Sequence, residues 1–417
     1  MSHIELIGVC ANRLSSEQQD LLADCILVAH SRRQEPLLAG IVIKRVAVTP
    51  LTALYPALEQ GLAKGKVAVL ASGDPLFFGI GRNLLAHFGP ERLRVHPAVS
   101  AMQLACARFK LPWDDLSILS LHGRNEAASG RAAARLLCHQ RVLCFTDQLN
   151  SPDRLAQSLI QLLERCGDSR RLDGIRIQVA ENLGLPEERI ISGSLAEIAA
   201  IRFAPLNMML LEQAEADDTF APALPALGLV EQEIRHSRGL ITKDEIRAAS
   251  LHRLRLPRQG VLWDIGGGSG SVSLEAARIA PELAIYTVEK KPEEQENIRH
   301  NVKTFGAYSI QLIAGEAPEI LVELPAPDRV FIGGSGGSKR LEAILHAAAA
   351  RLQPGGRIVV NAVLAETRAT AVSTLSALGF QVTSSTLALV REQAGSAPQH
   401  FNPITIVTGS HEHQHAS

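Results

Sequence analysis

The chain has 417 residues, with 46% hydrophobic and 20% charged residues and a net charge of −1. That length and apolar content suit two or three packed domains rather than a disordered chain. The near-neutral charge and 4% aromatic content argue against a broad nucleic-acid surface, and no apolar run reaches transmembrane length. The six cysteines all precede residue 167 and form no C-x-x-C pair. They read as reduced thiols, and with no basic-then-apolar leader the expectation is a cytoplasmic protein.

In chain order, the first 213 residues alternate strand and helix, an α/β pattern. Ile4–Gly8 reads as a first strand, Leu14–Ala23 as a helix and Cys25–Ala29 as the next strand. Thr49-Pro50 opens a helix through Ala63. Lys66–Ala71 is a buried strand ending in the turn Ser72-Gly73-Asp74-Pro75. Ile80–Phe88 is helical, Leu93–Val95 extended, and Val99–Phe109 helical. Strands at Leu116–Leu121 and Arg141–Phe145 bracket another helix. An amphipathic helix starts at Ser151-Pro152, and strands follow at Ile175–Ala180 and Leu206–Leu211. Residues 214–232, with Asp217-Asp218, Pro222 and Pro225, read as a linker between a domain at 1–213 and one at 233–409.

The second domain opens on Thr242-Lys243-Asp244-Glu245, which has the form of a capping box ahead of a helix to Leu254. Strand Val261–Ile265 then runs into Gly266-Gly267-Gly268-Ser269-Gly270 and a helix from Ser271. This strand, tight loop and helix open a βαβ unit whose helix N-terminus offers free N–H groups. Pro292 sits at the first position of a helix that ends at Gly306. Strands at Gln311–Ala314 and Asp328–Ile332 follow, and the second leads into Gly333-Gly334-Ser335-Gly336-Gly337 and a helix from Ser338. Arg357–Val360, a helix at Ala365–Leu378 and strands near Val382–Leu389 and Ile404–Val407 complete a doubly wound sheet. Residues 410–417, with His411, His413 and His415, read as a frayed tail rather than a metal site.

The glycine loop does not fit a dinucleotide well. Ser271 occupies the third glycine position, and Asp264 would repel a pyrophosphate while suiting an ammonium group. Glu289 ends the next apolar run, about 20 residues on, where an acidic side chain can hold ribose hydroxyls. Ribose plus ammonium without pyrophosphate describes S-adenosylmethionine, to be held by Thr242, Asp264, Gly266, Gly267, Gly268, Ser269, Gly270, Glu289 and Ala317. An NAD-dependent oxidoreductase is the competing reading. Gly334, Ser335, Gly336, Gly337, Lys339 and Arg340 form a second N–H-rich loop with two cations, suited to an anionic substrate.

The first half resembles the tetrapyrrole (corrin/porphyrin) methylase family. The resemblance rests on Ser72-Gly73-Asp74-Pro75-Leu76-Phe77-Phe78-Gly79, His96-Pro97-Ala98-Val99-Ser100-Ala101, Leu111-Pro112-Trp113 and Leu121-His122-Gly123-Arg124. The second half resembles class I precorrin methyltransferases that also decarboxylate. There the matches are Ile241-Thr242-Lys243, Asp264–Gly270, Glu289-Lys290, Gly315-Glu316-Ala317-Pro318 and Ile332–Gly337. The two halves in this order resemble the decarboxylating precorrin C5,15-methyltransferase family.

This resemblance implies a two-lobed methylase fold followed by a Rossmann-like methyltransferase. It implies a precorrin tetrapyrrole substrate, no nucleic-acid or membrane partner, no metal, and a homo-oligomer. It adds Gly73, Asp74, Ser100 and Ala101 as cofactor contacts and His122 and Arg124 as substrate contacts, and it names no catalytic acid. The first strand runs into Gly8-Val9-Cys10-Ala11-Asn12 where the family has G-x-G-x-G. A first half that only holds substrate for an active second half is therefore the other alternative.

Overall fold

The computed structural model describes residues 2–10, 13–121, 129–214, 226–237, 239 and 241–411. The expected linker core at Asp217–Pro225, the His122-Gly123-Arg124 motif, Ala11-Asn12 and the tail beyond His411 lie outside the described residues. Contacts divide the chain into two compact units. One comprises 1–127, 141–157 and 173–214; the other comprises 128–140, 158–172 and 215–417.

The first unit contains two sheets. Strands β1 (Ile4–Val9), β2 (Cys25–His30), β3 (Lys44–Ala47), β4 (Lys66–Ser72) and β5 (Leu93–His96) form a parallel sheet in the order β3-β2-β4-β1-β5. Successive residues alternate faces. Ile4, Leu6, Val67 and Val69 therefore pack on one side, and Ile7, Val28, Ala68 and Leu70 on the other. Strands β6 (Ser117–Ser120), β7 (Arg141–Phe145), β8 (Ile175–Glu181), β9 (Arg189–Ser194) and β10 (Asn207–Gln213) form the second sheet, ordered β6-β7-β10-β8-β9. Only its β6–β7 pair is parallel.

Helices α1 (Ser16–Ala23), α2 (Leu51–Leu62), α3 (Gly81–Phe88) and α4 (Ala101–Phe109) precede the second sheet in sequence. Next come α5 (Ser129–Leu137), α6 (Pro152–Arg165), α7 (Ser169–Gly174) and α8 (Leu195–Ala199). The short α7, α8, β3 and β9 are additions to the elements expected from sequence.

In the second unit, α9 (Asp244–Leu254) leads into β11 (Gly260–Ile265), α10 (Ser271–Ile279), β12 (Leu283–Glu289), α11 (Pro292–Phe305) and β13 (Ile310–Ala314). Then follow β14 (Arg329–Ile332), α12 (Ser338–Ala349), β15 (Arg357–Ala362), α13 (Ala365–Ala377) and β16 (Gln381–Leu387). The two-stranded β17 (Val390–Arg391) and β18 (Gln399–His400) lead to β19 (Ile404–Ser410).

The large sheet runs β13-β12-β11-β14-β15-β19-β16, with β19 antiparallel to both neighbours and the other described pairs parallel. A core of Trp263, Ile265, Val330, Ile332, Leu341, Leu345, Val360 and Leu375 fills one face. Pro292 occupies the first turn of α11, and Gly306 closes it in the left-handed region, as expected from sequence. Ser410 is paired in β19, and the His411 ring stacks on Phe380 at 4.2 Å. Among the described residues, no helix is long and apolar enough to cross a membrane.

Candidate functional site

The sheet order of the second unit reverses between β11 and β14, the crevice where open α/β sheets take ligands. Both strands end there in glycine loops, and the loops meet backbone to backbone. A side chain at Gly266 (φ +71°) would lie closer than 3.0 Å to the Gly334 carbonyl oxygen and amide nitrogen. A Cβ at Gly267 would collide in the same way with the Thr287 methyl. The Gly333 N–H donates to the Ile265 carbonyl at 3.0 Å, and the Gly270 N–H closes a turn onto the Gly267 carbonyl at 2.8 Å. The loop needs glycine for close approach as much as for its positive φ values at 266, 268 and 270.

A cavity of about 580 Å³ opens over these loops. Its wall includes Thr242, Gly266, Gly267, Gly268, Ser269, Glu289, Ala317, Gly334, Ser335, Gly336 and Arg340 from the sequence-derived set. Asp264, Gly270, Gly337 and Lys339 are not part of that wall.

Two acidic residues singled out in the sequence take different places. The buried Glu289 reaches the cavity from the end of β12. Its Oε2 accepts from the Gly268 N–H at 2.9 Å, and its Oε1 accepts from the Lys290 and Lys291 N–H groups, each at 2.9 Å. Three backbone donors fix the carboxylate in place; Oε1 is filled by two of them, and Oε2 keeps lone-pair capacity for one further hydroxyl.

Asp264 instead turns inward and is 1% exposed. Its Oδ2 accepts from the Ser273 hydroxyl at 2.5 Å, and the Ser273 and Thr287 hydroxyl oxygens are 2.6 Å apart. Burial, with the Glu289 charge adding to it, pushes the Asp264 carboxyl up to about 6 against the opposing pull of the Ser273 hydroxyl. Asp264 braces the loop from behind rather than facing a ligand. Ser269, 2% exposed and on the cavity wall, has a hydroxyl with no hydrogen-bond partner among the described residues. An unpaired buried hydroxyl in a cavity wall is costly unless a ligand answers it.

The capping box at Thr242 is corrected. Lys243 is the N-cap of α9 and makes no side-chain cap. The Thr242 carbonyl accepts from Arg247 at 3.1 Å, and Glu245 pairs with Arg391 at 2.7 Å. An ion pair to a residue 146 positions away outcompeted the local cap. Arg340 also differs from the sequence picture of a free cation. Its Nη2 pairs with Glu319 at 2.7 Å, and its Nε lies 3.2 Å from Glu316 and donates to the Ala317 carbonyl at 2.7 Å. Lys290 pairs with the same Glu316 at 2.8 Å and, with Arg340, holds that carboxyl below its ordinary range. Lys339 is exposed.

In the first unit, the turn after β4 and the loop after β5 converge beside the end of β1. The Gly73 N–H donates to the Val9 carbonyl at 2.8 Å, and a Cβ on Gly8 would fall closer than 3.0 Å to the Gly73 carbonyl oxygen and the Ala98 nitrogen. Gly73 lies at φ +66°, with Ser100 Cα about as near as a side chain there would tolerate. Asp74 Oδ1 accepts from the Leu76 N–H at 2.8 Å, which makes the turn. The buried Ser100 caps α4 by accepting from the Gln103 N–H at 3.2 Å, and Ala101 is the first residue of that helix. His96, just upstream, reaches the buried Glu5 at 2.7 Å, and His3 meets the other oxygen of Glu5 at 2.6 Å. Burial opposes the charge on Glu5, but these two hydrogen bonds outweigh it and keep the carboxyl low.

Two family models match the chain: tetrapyrrole (corrin/porphyrin) methylases over residues 10–199 and the precorrin methyltransferase domain over 233–409. The precorrin-6Y C(5,15)-methyltransferase (decarboxylating) of Sinorhizobium sp is 34% identical over 369 residues, covering 88% of this chain and 85% of that relative. The chain belongs to the precorrin-6Y C5,15-methyltransferase (decarboxylating) family. The Mycobacterium tuberculosis (strain CDC 1551 / Oshkosh) member of this family is 31% identical, covering 91% of this chain and 92% of its own. A solved structure, precorrin-6Y C5,15-methyltransferase from Geobacter metallireducens GS-15, is 42% identical. It covers 44% of this chain and 97% of that one, with a TM-score of 0.43.

Several wall residues of the second-unit cavity were not singled out from the sequence: Lys291, Glu294, Phe331, Asn361, Val363 and Ile404. Asn361 sits near the end of β15 and exchanges hydrogen bonds with Ser250 on α9 at 2.9 and 3.0 Å. Its position at the carboxyl end of a central strand is the one signal that marks it.

Proposed function

We propose that the chain methylates a precorrin at C5 and C15 and removes an acetate side chain as carbon dioxide, in cobalamin biosynthesis, with S-adenosylmethionine as methyl donor. The observation that carries the cofactor assignment is the cavity wall. A glycine loop lets backbone line the cavity closely, Glu289 is fixed with spare acceptor capacity on Oε2, and the Ser269 hydroxyl has no partner among the described residues. Glu289 would accept from a ribose hydroxyl through Oε2, and the Ser269 hydroxyl would meet the amino-acid end. Bound there, the cofactor supplies an electrophilic methyl group on a sulfonium.

Alignment in a dry pocket is then the protein's main task, because the conjugated macrocycle can serve as electron sink when carbon dioxide leaves. The Gly334–Gly337 amides and the exposed Lys339 are the donors proposed for substrate carboxylates. Arg340 contributes less, being already neutralised by Glu316 and Glu319. In the first half, Gly73, Asp74, Ser100 and Ala101 are proposed to line a second cofactor site, with Asp74 and Ser100 shaping the loops. His122 and Arg124 remain proposed substrate contacts. A homo-oligomer is part of the same proposal, to be read by light scattering.

Incubation of the full chain with precorrin substrate and S-adenosylmethionine, followed by mass spectrometry, tests the proposal. It expects two added methyl groups and the loss of one carbon dioxide. An unchanged substrate mass overturns it.

A further inference from the structure

Four arginines gather at the end of the large sheet opposite the cavity. Arg329 and Arg357 are the first residues of β14 and β15 and are register partners on these adjacent parallel strands. Arg253 and Arg255 lie at the carboxyl end of α9. Backbone carbonyls knit the group together. Arg329 donates from Nε to the Arg255 carbonyl at 3.0 Å, and Arg357 donates from Nη1 to the Arg253 carbonyl at 3.2 Å. Arg253 in turn donates to the Ser385 hydroxyl at 2.8 Å.

These bonds satisfy the end of α9, and the Asp328 charge offsets only part of the positive charge, at Arg329. Among the described residues, none of the four arginines has a carboxylate ion-pair partner. Asp328 is the acidic neighbour, and its Oδ2 accepts from the Val261 N–H at 2.8 Å. Burial and then Arg357 lower the proton affinity of Arg329 against the opposing pull of Asp328; burial, Arg255 and Arg253 lower that of Arg357. Capping the carboxyl end of α9 accounts for Arg329 and Arg357. It does not account for Arg253, which is drawn to Ser385, or for the exposed Arg255 side chain.

We propose that this cluster is a second ligand site, for a small multivalent oxyanion that takes paired N–H donors from the guanidinium planes. The site is separate from the methyl-transfer cavity, and the proposal does not rest on the reading of that cavity. A bound anion would neutralise like charges that the fold holds together. Two sources share this chemistry, an inorganic tetrahedral oxyanion and a small polycarboxylate.

The experiment is thermal unfolding of the full chain at constant ionic strength, with chloride replaced stepwise by sulfate in one series and by citrate in another. Saturable stabilisation is expected, since a ligand of the folded state raises the melting temperature by mass action. Arg255→Asn removes one guanidinium at an exposed position, and asparagine tolerates the left-handed backbone there (φ +47°). This variant is expected to bind roughly tenfold more weakly. Tighter citrate binding assigns the site to polycarboxylates, and tighter sulfate binding assigns it to inorganic oxyanions. Stabilisation that never saturates, or that is the same in Arg255→Asn, overturns the proposal.

Discussion

The loops that end β1 and β4 are held by backbone meeting backbone. Gly8 is flush against Gly73 and Ala98, and the nearby side chains of Asp74 and Ser100 are spent on a turn and a helix cap. The glycine loop that ends β11 also meets backbone, at Gly334, and is held in addition by buried carboxylates: Glu289 grips it from the front, while Asp264, through Ser273 and Thr287, braces it from behind. The contrast teaches that similar glycine-bearing turns can be rigid for different reasons. In the first unit an added methyl should be the damaging change. In the second unit, loss of a charge or a hydroxyl should matter as well.

The largest effect is expected from Gly266→Val. Its side chain would collide with Gly334 while its backbone sits at φ +71°. Decarboxylation and its associated methylation should fall by at least about 100-fold, as active-site misplacement commonly costs. The first-half methylation should survive, read as a product carrying a single added methyl. Gly8→Ala is the mirror experiment. It should remove the first-half methylation and spare decarboxylation, and equal losses in both activities would end the comparison.

Glu289→Gln comes next. It keeps the shape but weakens the bonds to Gly268, Lys290 and Lys291 and to any ribose. Calorimetric affinity for S-adenosylhomocysteine should drop about tenfold, or ~1.4 kcal/mol, with little change in melting temperature.

Asp264→Asn sharpens the bracing role through pH. Because the folded-state carboxyl is raised to about 6 from an ordinary 3.8, the folded protein binds the extra proton in that window. The contribution of Asp264 to stability is therefore full below about pH 4 and is lost as pH rises through 6. Relative to wild type, Asp264→Asn should gain up to about 3 kcal/mol between pH 4 and pH 7. A pH-independent difference between the two proteins in urea titrations would show that the carboxyl is not raised.

Arg391→Gln is expected to have the smallest effect. It would break a partly exposed pair to Glu245 and a pair to the buried Glu231, which keeps Lys243 as a partner, costing about 1 kcal/mol in the same titrations. Methyl transfer should be unaltered.

Much of the second unit was legible in the sequence because its signals are local. An apolar run, a glycine cluster and helical spacing define β11 and α10, and Pro292 with Gly306 bounds α11. The short edge strand β3 was not legible, since Lys44-Arg45-Val46-Ala47 is mostly exposed and has no apolar alternation. The exposed β9 and the small β17–β18 pair escaped for the same reason.

The site was legible as a set of loops but not as a set of roles. Nothing near Asp264 in the sequence says that Ser273 and Thr287 will turn it inward. Arg340 reads as a free cation only until the fold brings Glu316 and Glu319 to it. Sequence spacing located the glycine turns, while the partners of their amides and of the nearby side chains depended on long-range packing.

The most direct measurement is calorimetric titration of the full chain with S-adenosylhomocysteine, repeated on Gly266→Val and Gly8→Ala. The expected result is two sites per wild-type chain and one in each variant. A chain that binds none, or that keeps both sites after Gly266→Val, would contradict it.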